Sequence, residues 1–278
     1  MQERHTNRSQ YFSEQAITTT KYVMPYISDY KAITKELRVL EIGCGEGGNL
    51  APFIDLGCEV VGIYLSSKRI QEAKQFTSEH YQNSKAIFLN EDVYKLNAQD
   101  IGRFDLIMLR DVIEHIHNQD QFFKHLKVFL KQDGLVFFGF PPWCMSFGGH
   151  QQVCNSKLLS KTPYFHLLPN TLYKGVLKLF GETQGTVNSL VEIKETGIGI
   201  NKFVHLVNNN KYAFVKKTLY FINPNYQVKF GLKQRVQFKA IAAIPYVRDF
   251  FSTCLYCVIR LKEQSNQKPN EYENLGKG

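Results

Sequence analysis

Residues 39–49 read Val-Leu-Glu-Ile-Gly-Cys-Gly-Glu-Gly-Gly-Asn, an apolar strand that runs through a carboxylate into a glycine-rich turn. A turn of this kind brings bare backbone against a ligand, and the helix that follows aims its unpaired N–H groups at the same place. Gly43, Gly45 and Gly48 satisfy the G-x-G-x-x-G spacing of dinucleotide sites. Glu41 argues for a different ligand. A carboxylate at the strand tip repels a pyrophosphate and attracts an ammonium or sulfonium group.

Around this turn, strands and helices alternate. Continuous apolar runs at 37–43, 59–64, 86–90, 104–110 and 134–140 read as parallel strands covered on both faces. Helices are expected between them at 47–57, 67–81 and 118–131, the second opened by Ser66 as N-cap and closed by the polar cluster Gln82–Lys85. Repeated βα units imply right-handed crossovers and a doubly wound sheet. After strand five the pattern breaks. Phe140-Pro141-Pro142-Trp143 and further glycines and prolines make 141–190 an inserted cap. A helix at 197–209, a strand at 212–222, an excursion over 223–250 and a final strand at 251–262 complete the pattern. The expectation is an α/β fold with a mostly parallel seven-stranded sheet closed by an antiparallel pair. Residues 1–36 form a helical lead-in, 37–262 the domain, and 263–278 a polar, disordered tail.

Apolar residues make up 44% of the 278, enough for a sizeable core. No apolar run approaches the roughly 18–20 residues that span a bilayer, and the first ten residues are polar. A soluble, cytoplasmic chain is expected. The six cysteines follow no disulfide or zinc spacing, and the single C-x-x-C, Cys254 and Cys257, lies in an apolar strand. They read as core thiols, with no metal site. The net charge of +9 fits an anionic partner (nucleic acid, anionic lipid or a phosphorylated substrate) or a simply solvated surface.

The E-x-G-x-G-x-G turn resembles motif I of the class I S-adenosylmethionine (SAM) methyltransferases. Phe104–Leu109 followed by Val112-Ile113-Glu114-His115-Ile116 is similar to members of the ubiquinone-biosynthesis type and their small-molecule relatives. The resemblance implies a Rossmann-like fold with SAM as cofactor. Glu41 would face the methionine end of SAM, with Gly43, Cys44, Gly45 and Asn49 along the turn and the backbone of Leu109 and Arg110 beside it. Asp92 would take the adenine amino group and Val93 wall the ring. The acid that should accept the ribose hydroxyls is replaced by Tyr64, a departure costing about 1–3 kcal/mol of hydrogen bonding. That departure raises a second reading, a catalytically impaired binding or scaffold protein.

Two histidines are candidate bases, since an imidazole can take a proton from a nucleophilic hydroxyl. His115 would sit near the transferred methyl, and His150 follows Gly148-Gly149 in the loop after strand five. Trp143, Gln151, Gln152 and His166 are candidate acceptor contacts. Phe140-Pro141-Pro142-Trp143 differs from the (D/N)PPY motif of DNA-base amino-methyltransferases, because it follows strand five and begins with Phe. The expected activity is methylation, most simply of oxygen, on a small-molecule, lipid or glycan acceptor. RNA methylation is a third reading drawn from the charge, and an NAD-dependent oxidoreductase is disfavoured by Glu41. Thr171–Phe180 carries Leu172, Tyr173, Val176, Leu177 and Phe180 on one helical face, the pattern of a lid helix or of one resting on a membrane. Phe238–Phe251 would extend the same surface, which makes peripheral membrane contact a further expectation.

Overall fold

The computed structural model describes residues 7–81 and 84–262; the 263–278 tail, residues 1–6 and two residues of the Gln82–Lys85 cluster lie outside it. Helix α1 (Arg8–Thr18), a π-helical turn (Thr19–Val23) and α2 (Met24–Ser28) lead into β1 (Arg38–Ile42). Then follow α3 (Ala51–Asp55), β2 (Glu59–Ile63), α4 (Ser67–His80), β3 (Ala86–Leu89), α5 (Ala98–Ile101), β4 (Phe104–Arg110), α6 (Gln119–Phe129) and β5 (Leu130–Phe140). A cap of short turns with α7 (Asn170–Leu179) and α8 (Gln184–Thr196) precedes α9 (Ile200–Asn209) and β6 (Tyr212–Ile222). Helix α10 (Pro224–Phe230), β7 (Arg235–Val236), α11 (Lys239–Ala242), α12 (Val247–Phe250) and β8 (Cys254–Leu261) end the described chain.

The sheet has eight strands in the order β3-β2-β1-β4-β5-β8-β6-β7. Strands β1 to β5 run parallel, and β8 is antiparallel to both β5 and β6. The eighth strand is β7, two exposed residues inside the expected excursion, too short to leave an apolar run in the sequence. Strand β5 starts at Leu130, four residues before the apolar run, because Lys131, Gln132 and Asp133 extend it beyond a bulge opposite β4. Ser66 precedes α4 but makes no side-chain cap, so the expected capping bond is absent there.

Strand alternation sorts the apolar residues onto two faces. On β5, Val136, Phe138 and Phe140 join the cluster that holds Phe123, Phe203 and Tyr212. Leu135 and Phe137 join the opposite cluster, with Tyr26, Phe53 and Phe88. The same alternation puts Cys257 and Cys254 on opposite faces of β8, both buried. Their spacing is therefore that of two separate core positions.

On the cap, Tyr173 and Leu177 of α7 face a third small core, while Leu172, Leu179 and Phe180 are exposed. The single apolar face read from the sequence is thus divided between packing and solvent. Among the described residues, no helix is long and apolar enough to cross a membrane.

Candidate active site

The carboxyl ends of β1 to β5 open onto one edge of the sheet, and the glycine turn leaves β1 there. The N–H groups of Gly43 and Cys44 both donate to the Ile63 carbonyl (2.8 and 3.1 Å), which ties the turn to β2. Cys44 is thereby committed, with its thiol buried in the core. Gly43 sits at φ 81°, and a Cβ there would lie 2.3 Å from Val112 Cγ2, so the turn packs directly on the segment after β4. Gly45, at φ 54°, differs: a Cβ there would meet nothing within 4 Å. Its bare backbone faces open space.

Glu41 lies in β1 between Gly62 of β2 and Met108 of β4, fully buried. One carboxylate oxygen accepts from Asn49 Nδ2 (2.6 Å), and the other has no partner among the described residues. Burial raises its pKa to about 8, against the lowering effects of the Asn49 hydrogen bond and the Arg110 charge. Arg110 does more than supply backbone. Its buried guanidinium donates to Asn49 Oδ1 and to the Thr19 hydroxyl, whose own proton goes to Asn49 (3.2 Å each for the Thr19 bonds).

Helix α1 closes over the turn. A Cβ on Gly48 would come within 2.5 Å of the Phe12 carbonyl. Glu46, fully buried, pairs with Arg8 of α1 and with Arg69 of α4 (2.6 Å). Tyr11 stands by the same edge, where burial and then Asp111 push its hydroxyl up to about 12. Neither Tyr11, Thr19 nor Glu46 was expected at the site. No signal in the sequence of α1 marks it, since only the tertiary fold brings this helix to the turn.

Along the rest of the edge, Tyr64 follows β2 with its N–H on Leu89 O and its carbonyl accepting from Asn90 Nδ2 (3.1 Å each). Its half-buried ring packs on the core. Asp92 accepts from the Tyr94 N–H (3.0 Å) and so caps the short turn that starts at Val93. The Val93 and Leu109 side chains are buried in the core.

Beyond β4 the chain turns at Asp111, whose left-handed backbone (φ 54°) is held by a bond from its N–H to Gly139 O (2.8 Å). Glu114 is 3% exposed, yet neither of its oxygens has a partner among the described residues. Burial, and then the nearby Asp111, raise its pKa well above the usual carboxylate range. Gln119 Nε2 holds this turn to the end of α8 through Ile113 O (3.0 Å) and Thr196 O (2.7 Å), and the Thr196 hydroxyl donates to Glu114 O (2.6 Å).

His115 and His150 meet edge-to-face with ring centroids 5.0 Å apart. Each can bring a nitrogen, and Glu114 an oxygen, to within 4.8 Å of the others, the spacing of a three-ligand metal site. His150 sits at φ 55°. Burial, with smaller repulsions from His115 and His166, pushes it down to about 3. Burial also lowers His115, opposed by Asp111 and Glu192. Both rings are therefore neutral near pH 7.

The four candidate acceptor contacts divide. Gln151 is fully buried and donates to Ser146 O and Thr162 O (3.0 and 3.2 Å), which pins its own loop. His166, also fully buried, bonds Trp143 O through Nε2 (2.8 Å) and stacks edge-on against the Trp143 ring. Trp143 in turn fills the space beside Gly197, where a Cβ would lie 2.5 Å from its ring. These three hold the cap together through the Gln151 amide nitrogen, His166 Nε2 and the Trp143 ring, while Gln151 Oε1 and His166 Nδ1 have no partner among the described residues. Gln152 is half-buried beside His150.

Comparison with known proteins bears on the fold and on the first half of the chain. Residues 11–144 match the model of a family described as a methyltransferase domain. Over these 134 of its 278 residues the chain is similar to a methyltransferase domain. Its fold has counterparts in solved structures: a putative sarcosine dimethylglycine methyltransferase from Galdieria sulphuraria (TM-score 0.57, 11% identity, 88% of this chain and 86% of that one) and the magnesium protoporphyrin IX methyltransferase of Synechocystis (0.52, 15%, 90% and 84%). At such identity these share the fold. In sequence, a ubiquinone biosynthesis O-methyltransferase of Pelagibacter ubique is 33% identical over 103 residues, 37% of this chain and 41% of the relative. One of Bartonella bacilliformis is 26% identical over 181 residues, 63% and 68%. The chain thus spans about two-fifths of the Pelagibacter relative's length.

Proposed function

We propose that this protein transfers a methyl group from SAM to a hydroxyl of a small-molecule, lipid-like or glycan acceptor. The observation that carries the reading is the neutral His115–His150 pair on the same sheet edge as the glycine turn. The turn's residues suit SAM. A buried Glu41 oxygen without a donor is the place for an ammonium group, and the open side of Gly45 lets a ligand approach the backbone. Tyr64 would lie along the ribose and Asp92 near the adenine, with Val93 behind the ring. The sulfonium of SAM makes its methyl electrophilic, so the protein has to align the acceptor and remove its proton. His115, the more accessible ring, takes that proton, and His150 orients it. The ubiquinone-type relatives support an oxygen acceptor.

A second reading of the pair has its own observation. Glu114, His115 and His150 have the donor set and spacing to hold a divalent cation, and the buried Glu114 carboxyl lacks any other partner among the described residues. In that role the three would bind an acceptor's adjacent oxygens through the ion.

Single-turnover methyl transfer from labelled SAM to a panel of phenols and catechols, with and without chelator, tests both. Loss of transfer in H115A and H150A that chelator does not reproduce supports the base. Loss with chelator, restored by added magnesium or zinc, supports the cation. Unchanged transfer in the double variant removes both roles.

A further inference from the structure

Between Glu195 and Asp249 the chain contains no aspartate or glutamate, although 25 acids occur in the whole protein. The excursion between β6 and β8 occupies the end of this run and is unusually exposed. From residue 231 to 251, Gln237 and Asp249 alone are buried. Val236 (58%), Phe238 (52%), Ile244 (49%) and Tyr246 (74%) present large apolar side chains to solvent, as do Val247, Phe250 and Phe251. Tyr246 does so from a left-handed backbone (φ 65°) that tyrosine rarely adopts.

These residues form one surface. Gln237 donates its side-chain amide to Phe251 O and its N–H to Leu219 O (2.8 Å for the latter), which brings the two ends of the excursion together. Arg235 lies over the Phe238 ring (5.3 Å), and Phe221 joins it from β6 (6.4 Å between centroids). Lys233, Arg235 and Lys239 are exposed within the patch, and none forms an ion pair among the described residues. The one acid, Asp249, faces inward and accepts from the Ile200 N–H (2.8 Å).

We propose that this excursion is a docking surface for an anionic lipid bilayer. Exposed aromatic and aliphatic side chains interleaved with unpaired cations match the two layers of such a surface, the acyl boundary and the charged headgroups. Charge selects the occupant. A second copy of the chain would set the same cations against one another, whereas a nucleic acid would leave the aliphatic Val236, Ile244 and Val247 without a use. The patch also lies on the working side of the sheet. Strand β6 runs alongside β8 in the same direction as β5, so Ile222 ends at the edge where Phe140 ends. Tyr164 of the cap reaches Phe250 O (3.3 Å). A docked bilayer would therefore face the cap.

Vesicle co-sedimentation tests this independently of methyl transfer, using phosphatidylcholine alone and phosphatidylcholine mixed with phosphatidylglycerol. The protein is expected to sediment with the anionic vesicles, less so as salt rises, and to stay in solution with the neutral ones. Charge reversal (K233E, R235E and K239E together) lowers partition by at least about a hundredfold, since loss of each cation alone costs about fivefold. Replacing Val236, Phe238 and Tyr246 by serine also releases the protein while its circular dichroism and thermal melt stay unchanged. The proposal is overturned by no sedimentation with either lipid, by equal sedimentation of both variants and the unaltered protein, or by a dimer in solution that the serine variant dissociates. RNA binding abolished by charge reversal and untouched by the serine variant, without vesicle binding, overturns it in favour of a nucleic acid.

Discussion

Tyr64 has both its backbone groups engaged with β3 and the Asn90 side chain, so a substitution there alters the side chain against a fixed frame. On the proposed reading, Y64D restores a carboxylate to the ribose and tightens SAH binding by roughly tenfold or more, measured by calorimetric titration. An unchanged affinity would take the ribose away from this position. Glu41 makes a second prediction. With its pKa raised to about 8, it is largely protonated near pH 7 and ionises when an ammonium group arrives. Binding of SAH should release close to one proton, read from the dependence of binding heat on the buffer's ionisation enthalpy, and E41Q should abolish that release. His115 gives a third. Because its folded pKa lies below 6.5, the rate of methyl transfer should hold steady as pH falls through that value and drop only below it. Glu41, Asp92 and the histidines stand out in the sequence because Glu41 lies within a recognisable strand and the others follow one. Arg110's inward guanidinium and the buried Glu46 are not, since nothing local says which way a side chain turns.

Among the elements, the parallel strands were the most legible. Their apolar runs are continuous because both faces are covered, and β1 to β4 fall within one or two residues of expectation. Helix α3 was less so. Five residues are helical where 47–57 is the expected helix, because Gly47 and Gly57, each at φ 81°, put the two ends of that stretch into turns. The inserted cap is expected to hold one helix, at Thr171–Phe180, and holds two, α7 and α8; the end of α8 ties to the Glu114 turn, with Gln119 of α6 donating to Thr196 O and the Thr196 hydroxyl donating to Glu114 O. At this scale the aromatic layer under β5 supplies a stability prediction. Phe138 stacks on Phe123 (5.4 Å) and meets Phe203 edge-on (5.0 Å), all three fully buried. F138A should cost about 3–5 kcal/mol in urea unfolding, with the midpoint shifted and the slope retained. A loss under 1 kcal/mol would mean that this layer is loosely packed.

For the whole molecule, the ionisable groups with shifted pKa values set how stability follows pH. Glu41 and Glu114 carry folded pKa values above their ordinary ones, so the folded state holds their protons longer and loses stability as pH climbs from about 4.5 toward 8. His115 and His150 are lowered, and their cost appears only as pH falls below about 6.5. Between about pH 6.5 and 8 the carboxyls act alone of the four. The melting temperature should decline across that window, and E41Q should flatten the decline; a profile identical in the variant would mean that Glu41 ionises freely. The sequence by itself determined the sheet's parallel core and the glycine turn, because strand burial and positive-φ turns impose patterns within a few positions of each other. Only the tertiary structure decided that α1 covers the turn, that His115 and His150 meet, and that the 223–251 excursion turns its apolar side chains outward. Those arrangements join segments far apart in the chain, and their contacts depend on how layers pack, which no local periodicity records.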